Sequence, residues 1–97
     1  MQLHKGCEKE YHKRHEALWP ELHSLLKISG ISEYSIFLHP GTLQLFGFLK
    51  VENEVVLEDL PNEAIMKKWW NYMKDIMETN EDESPVSNPL KEVFYLQ

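Results

Sequence analysis

Residues 31–51, ISEYSIFLHPGTLQLFGFLKV, decide the fold. Ile31 to Leu38 alternates with the period of a strand. Tyr34, Ile36 and Leu38 fall to one side, and Glu33, Ser35 and Phe37 to the other. His39-Pro40-Gly41-Thr42 places proline and glycine where a turn favours them. Leu43 to Val51 alternates again, with Leu43, Leu45, Gly47, Leu49 and Val51 on one face and Gln44, Phe46, Phe48 and Lys50 on the other. The two strands are expected to pair as an antiparallel hairpin. Antiparallel sheets commonly leave one face to water, yet both faces here hold large apolar side chains. The second face needs a cover. The simplest supplier is another copy packed sheet to sheet in a C2 dimer; long loops are the alternative.

Upstream, Glu8 to Ser29 is helical in pattern. His15, Leu18, Trp19, Leu22, Leu25 and Leu26 recur on one helix side. Pro20 interrupts, because proline inside a helix removes a hydrogen bond and crowds the preceding turn, at about 3 kcal/mol. Two helical segments therefore meet near Trp19-Pro20, and Gly30 closes the second. Downstream, Asn53 to Asp59 is a short helix broken at Pro61. Asn62 is placed to cap a further helix running to about Met77. That helix carries a stripe of Ile65, Met66, Trp69, Trp70, Met73, Ile76 and Met77. Glu78 to Pro89 reads as a loop, Lys91 to Leu96 as a last strand, and Met1 to Leu3 as the end of a shortened first strand. The order β-α-β-β-α-β is that of a ferredoxin-like α+β sandwich.

Ninety-seven residues make one domain, residues 1–97. A domain this short buries only about 60–65% of its unfolded surface, which also favours a partner subunit. Acids outnumber bases 16 to 10, for a formal charge of −6. That argues against nucleic acid, whose phosphates need clustered cations. The lone Cys7 excludes an internal disulfide framework. No apolar run approaches the ~20 residues of a membrane span, and the first residues lack a signal-peptide core. A cytoplasmic protein is expected.

Two clusters could carry chemistry. Tyr11, His15 and Trp19 sit at i, i+4 and i+8, sharing a side if the helix continues that far. The alternative reading is a buried face in which His15 is merely hydrogen-bonded. Trp69 and Trp70, adjacent on a helix, point about 100° apart, so one can pack while the other edges a cavity; both in the core is as compatible with the spacing. Indole faces suit the C–H faces of a sugar ring, and their N–H groups its hydroxyls. His4, His12, His15, His23 and His39 form no metal motif, and neither a phosphate loop nor a nucleophile elbow is present.

Tyr11-His12-Lys13-Arg14-His15, Trp19-Pro20-Glu21-Leu22, Trp69-Trp70-Asn71-Tyr72-Met73, Ser84-Pro85-Val86-Ser87 and Glu92-Val93-Phe94-Tyr95-Leu96 together resemble the L-rhamnose mutarotase family. The likeness runs in order along essentially the whole chain. It implies a small cytoplasmic homodimer of the dimeric α+β-barrel type that interconverts the anomers of L-rhamnose. It also implies His15 as the proton donor, with Tyr11, Tyr34, Trp69 and Trp70 contacting the sugar. Family members usually carry several more residues ahead of the stretch like Met1-Gln2-Leu3, hence the expectation of a shortened first strand.

Mutarotation opens a cyclic hemiacetal and recloses it on the other face. The anomeric hydroxyl loses a proton while the ring oxygen gains one. No electrons leave the sugar and no carbon–carbon bond breaks, so no cofactor and no metal are expected. An imidazole near pKa 6.5 reaches both protonation states at neutral pH. The phenol of Tyr11, near 10, suits orientation better than ground-state base chemistry. A non-catalytic dimeric α+β-barrel module binding a small ligand is the rival reading; a titrating group in the cavity tells them apart.

Overall fold

The computed structural model describes all 97 residues. Helices α1 (Glu8–Glu16) and α2 (Pro20–Ile28) lead into strands β1 (Ile31–His39) and β2 (Gln44–Val51), followed by α3 (Val55–Asp59), a 3-10 turn at Leu60–Asn62, and α4 (Ala64–Met73). The two helical segments part where expected. Pro20 occupies the first turn of α2, where its missing N–H costs nothing. Gly30 follows α2 at φ +82°, the left-handed conformation that glycine adopts without strain.

β1 and β2 pair antiparallel, with Ile36 opposite Gly47, Phe37 opposite Phe46 and Leu38 opposite Leu45. The faces are those of the alternation: Leu45 is buried under the helices, whereas Phe37 and Phe48 on the other side remain 62% and 59% exposed. The connecting turn is closed by the imidazole of His39, whose Nδ1 accepts from the amides of Gly41 and Thr42 at 3.2 and 3.1 Å. The positive φ falls on Leu43, not on Gly41.

The outer strands differ from expectation. Met1 to Leu3 lies beside β2 through the Gln2–Gln44 bridge, and its other edge takes Met77 through the Leu3–Met77 bridge. The amide of Leu45 donates to the Met1 carbonyl at 2.8 Å, that of Leu3 to Leu43 at 2.9 Å, and that of Glu78 to Gln2 at 2.9 Å. The segment around Met77, expected to end a helix, thus lies against the first residues. Lys91–Leu96, expected as a last strand, form no strand and stand exposed. A strand persists only where its amides find partners, and within one chain that edge is already occupied.

The same pairing ends α4 at Met73 and not at Met77, since a bridged residue needs extended backbone. Ile76 and Met77 still reach the core, which joins them to Leu3, Tyr11, Leu22, Leu45, Trp69 and Met73. Asn62 does not cap α4. It belongs to the 3-10 turn that Pro61 favours, and Glu63 occupies the cap position in extended backbone without a side-chain bond. Only nine of the 97 residues are buried, so this chain alone owns a small core beneath one face of its hairpin.

Candidate active site

A cavity of about 610 Å³ opens between α1, α2 and the hairpin. Tyr11 and His15 reach it from α1, and Tyr34 from β1. Tyr34 shares its side of the strand with Ile36 and Leu38, and an irregularity brings Ile31 round to join them. Ser32 pairs with Lys50 and Ser35 with Phe48, so β1 holds one residue more than β2 across that interval, and Glu33 takes φ +50°. Ile31 and Tyr34 are three apart and would face opposite ways on a regular strand. The bulge brings both to the cavity.

The lining is mixed in polarity. Leu18, Leu26, Ile36, Leu38 and Leu45 supply apolar surface. Glu8 and His12 of α1, His23 and Lys27 of α2, and Glu33 of β1 supply the charged and titratable groups.

His15 is the best-defined group. Its Nδ1 lies 3.0 Å from the carbonyl oxygen of Tyr11, one turn back on the same helix. A carbonyl only accepts, so Nδ1 carries the proton and the neutral ring keeps its free lone pair on Nε2. The Tyr11 ring lies 4.3 Å from the imidazole, tilted by 30°. Trp69 meets it edge-on at 5.4 Å. Desolvation lowers the His15 pKa below 6.5, the Tyr11 carbonyl opposes that shift, and the nearby His12 adds to it. The neutral form therefore dominates at pH 7. Desolvation pushes the Tyr11 phenol upward, with a smaller push from Tyr34, and raises the Tyr34 phenol as well. Both remain neutral hydrogen-bond donors.

The expected tryptophan wall is not part of this cavity's lining. Trp69 is only 5% exposed and belongs to the core. It stands behind His15, and Trp70 is half-buried against the same core. Trp19 joins the cluster by another route than helical spacing. The helix stops at Glu16, and Trp19 is extended at φ −58°, ψ 131°. Its indole nonetheless meets Trp69 at 5.1 Å and Tyr72 at 5.4 Å. Sequence reasoning missed Tyr72 as a member of this stack. It also missed Arg14, whose guanidinium lies 4.3 Å above the Tyr72 ring. The Glu10–Arg14 spacing at i, i+4 was a visible signal; the contact with Tyr72 was not.

Nowhere do three His, Cys, Asp or Glu side chains converge as a metal site requires. No helix is long and apolar enough to cross a membrane.

A small α+β scaffold thus sets an imidazole of defined tautomer beside neutral phenols and apolar side chains in one cavity, the class of site in which acid–base groups and hydrocarbon surface meet. Known proteins narrow this further. The family model for L-rhamnose mutarotase matches residues 1–96. An L-rhamnose mutarotase of Formosa agariphila is 54% identical over 97 residues, covering 100% of this chain and 93% of the relative. One from Bacteroides thetaiotaomicron is 54% identical over 96 residues, covering 99% and 92%. The crystal structure of the L-rhamnose mutarotase from Formosa agariphila superposes with a TM-score of 0.92, covering 100% of this chain and 93% of that one. The chain belongs to the L-rhamnose mutarotase family.

Proposed function

We propose that the chain is an isomerase that interconverts the α and β anomers of L-rhamnopyranose, with His15 as the group that moves the proton. The observation that carries this reading is the neutral imidazole on the cavity wall, its Nδ1 bonded to the Tyr11 carbonyl and its Nε2 free.

In ring opening, Nε2 takes the proton from the anomeric O1. The C1–O5 bond breaks as C1 and O1 form a carbonyl, and the proton passes through a water or a sugar hydroxyl to O5. Rotation about C1–C2 turns the other carbonyl face toward O5. Closure runs the same transfers in reverse, so His15 ends each turnover unchanged. A positioned acid–base group contributes about 10²–10⁴ in rate, enough for a reaction already facile in water. Tyr11 and Tyr34, held neutral, orient the ring by donating hydrogen bonds. The aliphatic side chains take the C6 methyl that distinguishes a 6-deoxy sugar. Trp69 stands behind the imidazole in this reading and shapes the wall through it. The non-catalytic alternative is not favoured, since a passive binding module has no need of a titrating group at the ligand.

The test is anomer exchange on L-rhamnose, measured by saturation-transfer NMR across about pH 5 to 8 after subtraction of the buffer rate. His15 works when neutral and its pKa is lowered, so the enzymatic rate climbs as pH rises through a midpoint below 6.5 and is level by neutrality. No exchange above background, or an acid limb centred above 6.5, defeats the assignment.

The fold reading extends in the same way. The spatial order Met77, Met1–Leu3, β2, β1 supports a ferredoxin-like sheet whose outer strands are short. The bare Phe37, Phe46 and Phe48 on one face of the hairpin support a homodimer that covers the outer face, because contiguous exposed apolar surface marks an interface. Sedimentation at micromolar concentration should give dimer, and Phe48→Glu should shift it toward monomer. A parent chain sedimenting only as monomer would overturn this. The unpaired Cys7 accords with a cytoplasmic enzyme.

A further inference from the structure

Arg14 is the only arginine of the chain, and its side chain is 10% exposed. Burying a guanidinium costs several kcal/mol unless its N–H groups are satisfied. Four bonds do so here. Nε donates to Glu10 Oε2 at 3.1 Å within α1. Nη1 and Nη2 donate to the two carboxylate oxygens of Asp75 at 2.9 and 3.2 Å, and Nη1 also to the Tyr72 carbonyl at 2.7 Å. The bidentate fork is the strong form of this pairing. It holds the Asp75 carboxyl below its usual range. The carbonyl of Tyr72 lies in the last turn of α4, where the helix dipole favours a cation.

This set of contacts grips the two things that surround His15. One is α1 itself. A nine-residue helix without a side-chain N-cap bond is marginal alone, so tertiary ties set its position, and Arg14 directly precedes His15. The other is the aromatic stack. Tyr72, beneath the guanidinium, lies 5.7 Å from Trp69, and Trp69 meets His15 at 5.4 Å.

We propose that Arg14 and Asp75 are positioning residues for the proton transfer, clamping α1 to the end of α4 and so holding the His15 imidazole at its place on the cavity wall. This rests on His15 being the proton-transfer group. Neither Arg14 nor Asp75 lines the cavity. The clamp acts on turnover because displacing a reacting group by about 1 Å costs on the order of 10²-fold in rate.

Three variants test it in the anomer-exchange assay: Asp75→Ala, Arg14→Lys and His15→Ala. Asp75 is 64% exposed on its side chain, so its truncation removes little packing and leaves a folded protein, checked by circular dichroism. Lysine at 14 keeps the charge and loses the fork. In Asp75→Ala, kcat should fall about 10-fold or more while KM changes by less than about 3-fold, the pattern of a displaced catalytic group and not of lost substrate contact. Asp75→Asn, which keeps one acceptor, should recover part of the loss. A purely structural tie would lower the melting temperature and leave kcat alone. Folded Asp75→Ala and Arg14→Lys with kcat within about 2-fold of the parent, beside an inactive His15→Ala, overturn the clamp and spare the role of His15. An active His15→Ala overturns both.

Discussion

Replacing His15 with glutamine should lower the enzymatic rate of anomer exchange by about 10²–10⁴ and leave the fold intact. Glutamine is close to histidine in reach and sets its amide where the Nε2 end of the ring stands, giving up only the Nδ1 donation to the Tyr11 carbonyl at 3.0 Å. What it cannot do is take a proton and return it. The substitution therefore separates chemistry from packing. KM should change little, because the phenols and the aliphatic side chains of the cavity are untouched; the loss belongs in kcat. Saturation-transfer NMR on L-rhamnose reads the rate directly, and circular dichroism reports the fold. A folded glutamine variant exchanging anomers at the parent rate would assign the proton transfer to another group, with Tyr11 and Tyr34 the next to examine.

The second large effect is on stability. Trp69→Ala removes a core indole that is 5% exposed and meets three rings at once: His15 at 5.4 Å, Trp19 at 5.1 Å and Tyr72 at 5.7 Å. Truncating a buried tryptophan costs about 3–5 kcal/mol. Edge-to-face pairs of the kind made with Trp19 contribute about 0.5–1.5 kcal/mol beyond area burial. A small domain has only about 5–15 kcal/mol in total, so much of the variant should be unfolded in mild denaturant. Urea unfolding followed by far-ultraviolet circular dichroism gives the comparison. Trp70→Ala, at a half-buried position, serves as the control and should cost less. A Trp69→Ala protein within about 1 kcal/mol of the parent would mean that the stack around His15 is not a buried unit.

The resemblance implies that Trp69 and Trp70 contact the sugar; in the fold Trp69 lies in the core, edge-on to the imidazole, and Trp70 is half-buried against the same core. Spacing along a helix states which side chains share a side; it does not state how deep that side lies. Trp19 teaches the complementary lesson. Helical periodicity grouped it with Tyr11 and His15, and the helix ends before it arrives. It joins the same cluster because the break at Pro20 redirects the chain against α4. Alternation set Tyr34 on one side with Ile36 and Leu38, and all three line the cavity, although the bulge at Glu33 that brings Ile31 to the same side left no mark in the pattern.

The amino-acid sequence by itself determined the hairpin, its two apolar faces and the break at Pro20. These are local matters: the pleat repeats every two residues, the helix every 3.6, and proline carries its effect within one turn. Tertiary structure alone decided that Met77, and not Lys91–Leu96, lies against the first residues, that Trp69 backs the imidazole, and that Arg14 reaches Asp75 across 61 positions of chain. Which distant edge or carboxylate a group meets depends on how whole elements compete for the same limited surface, and that competition has no period to read.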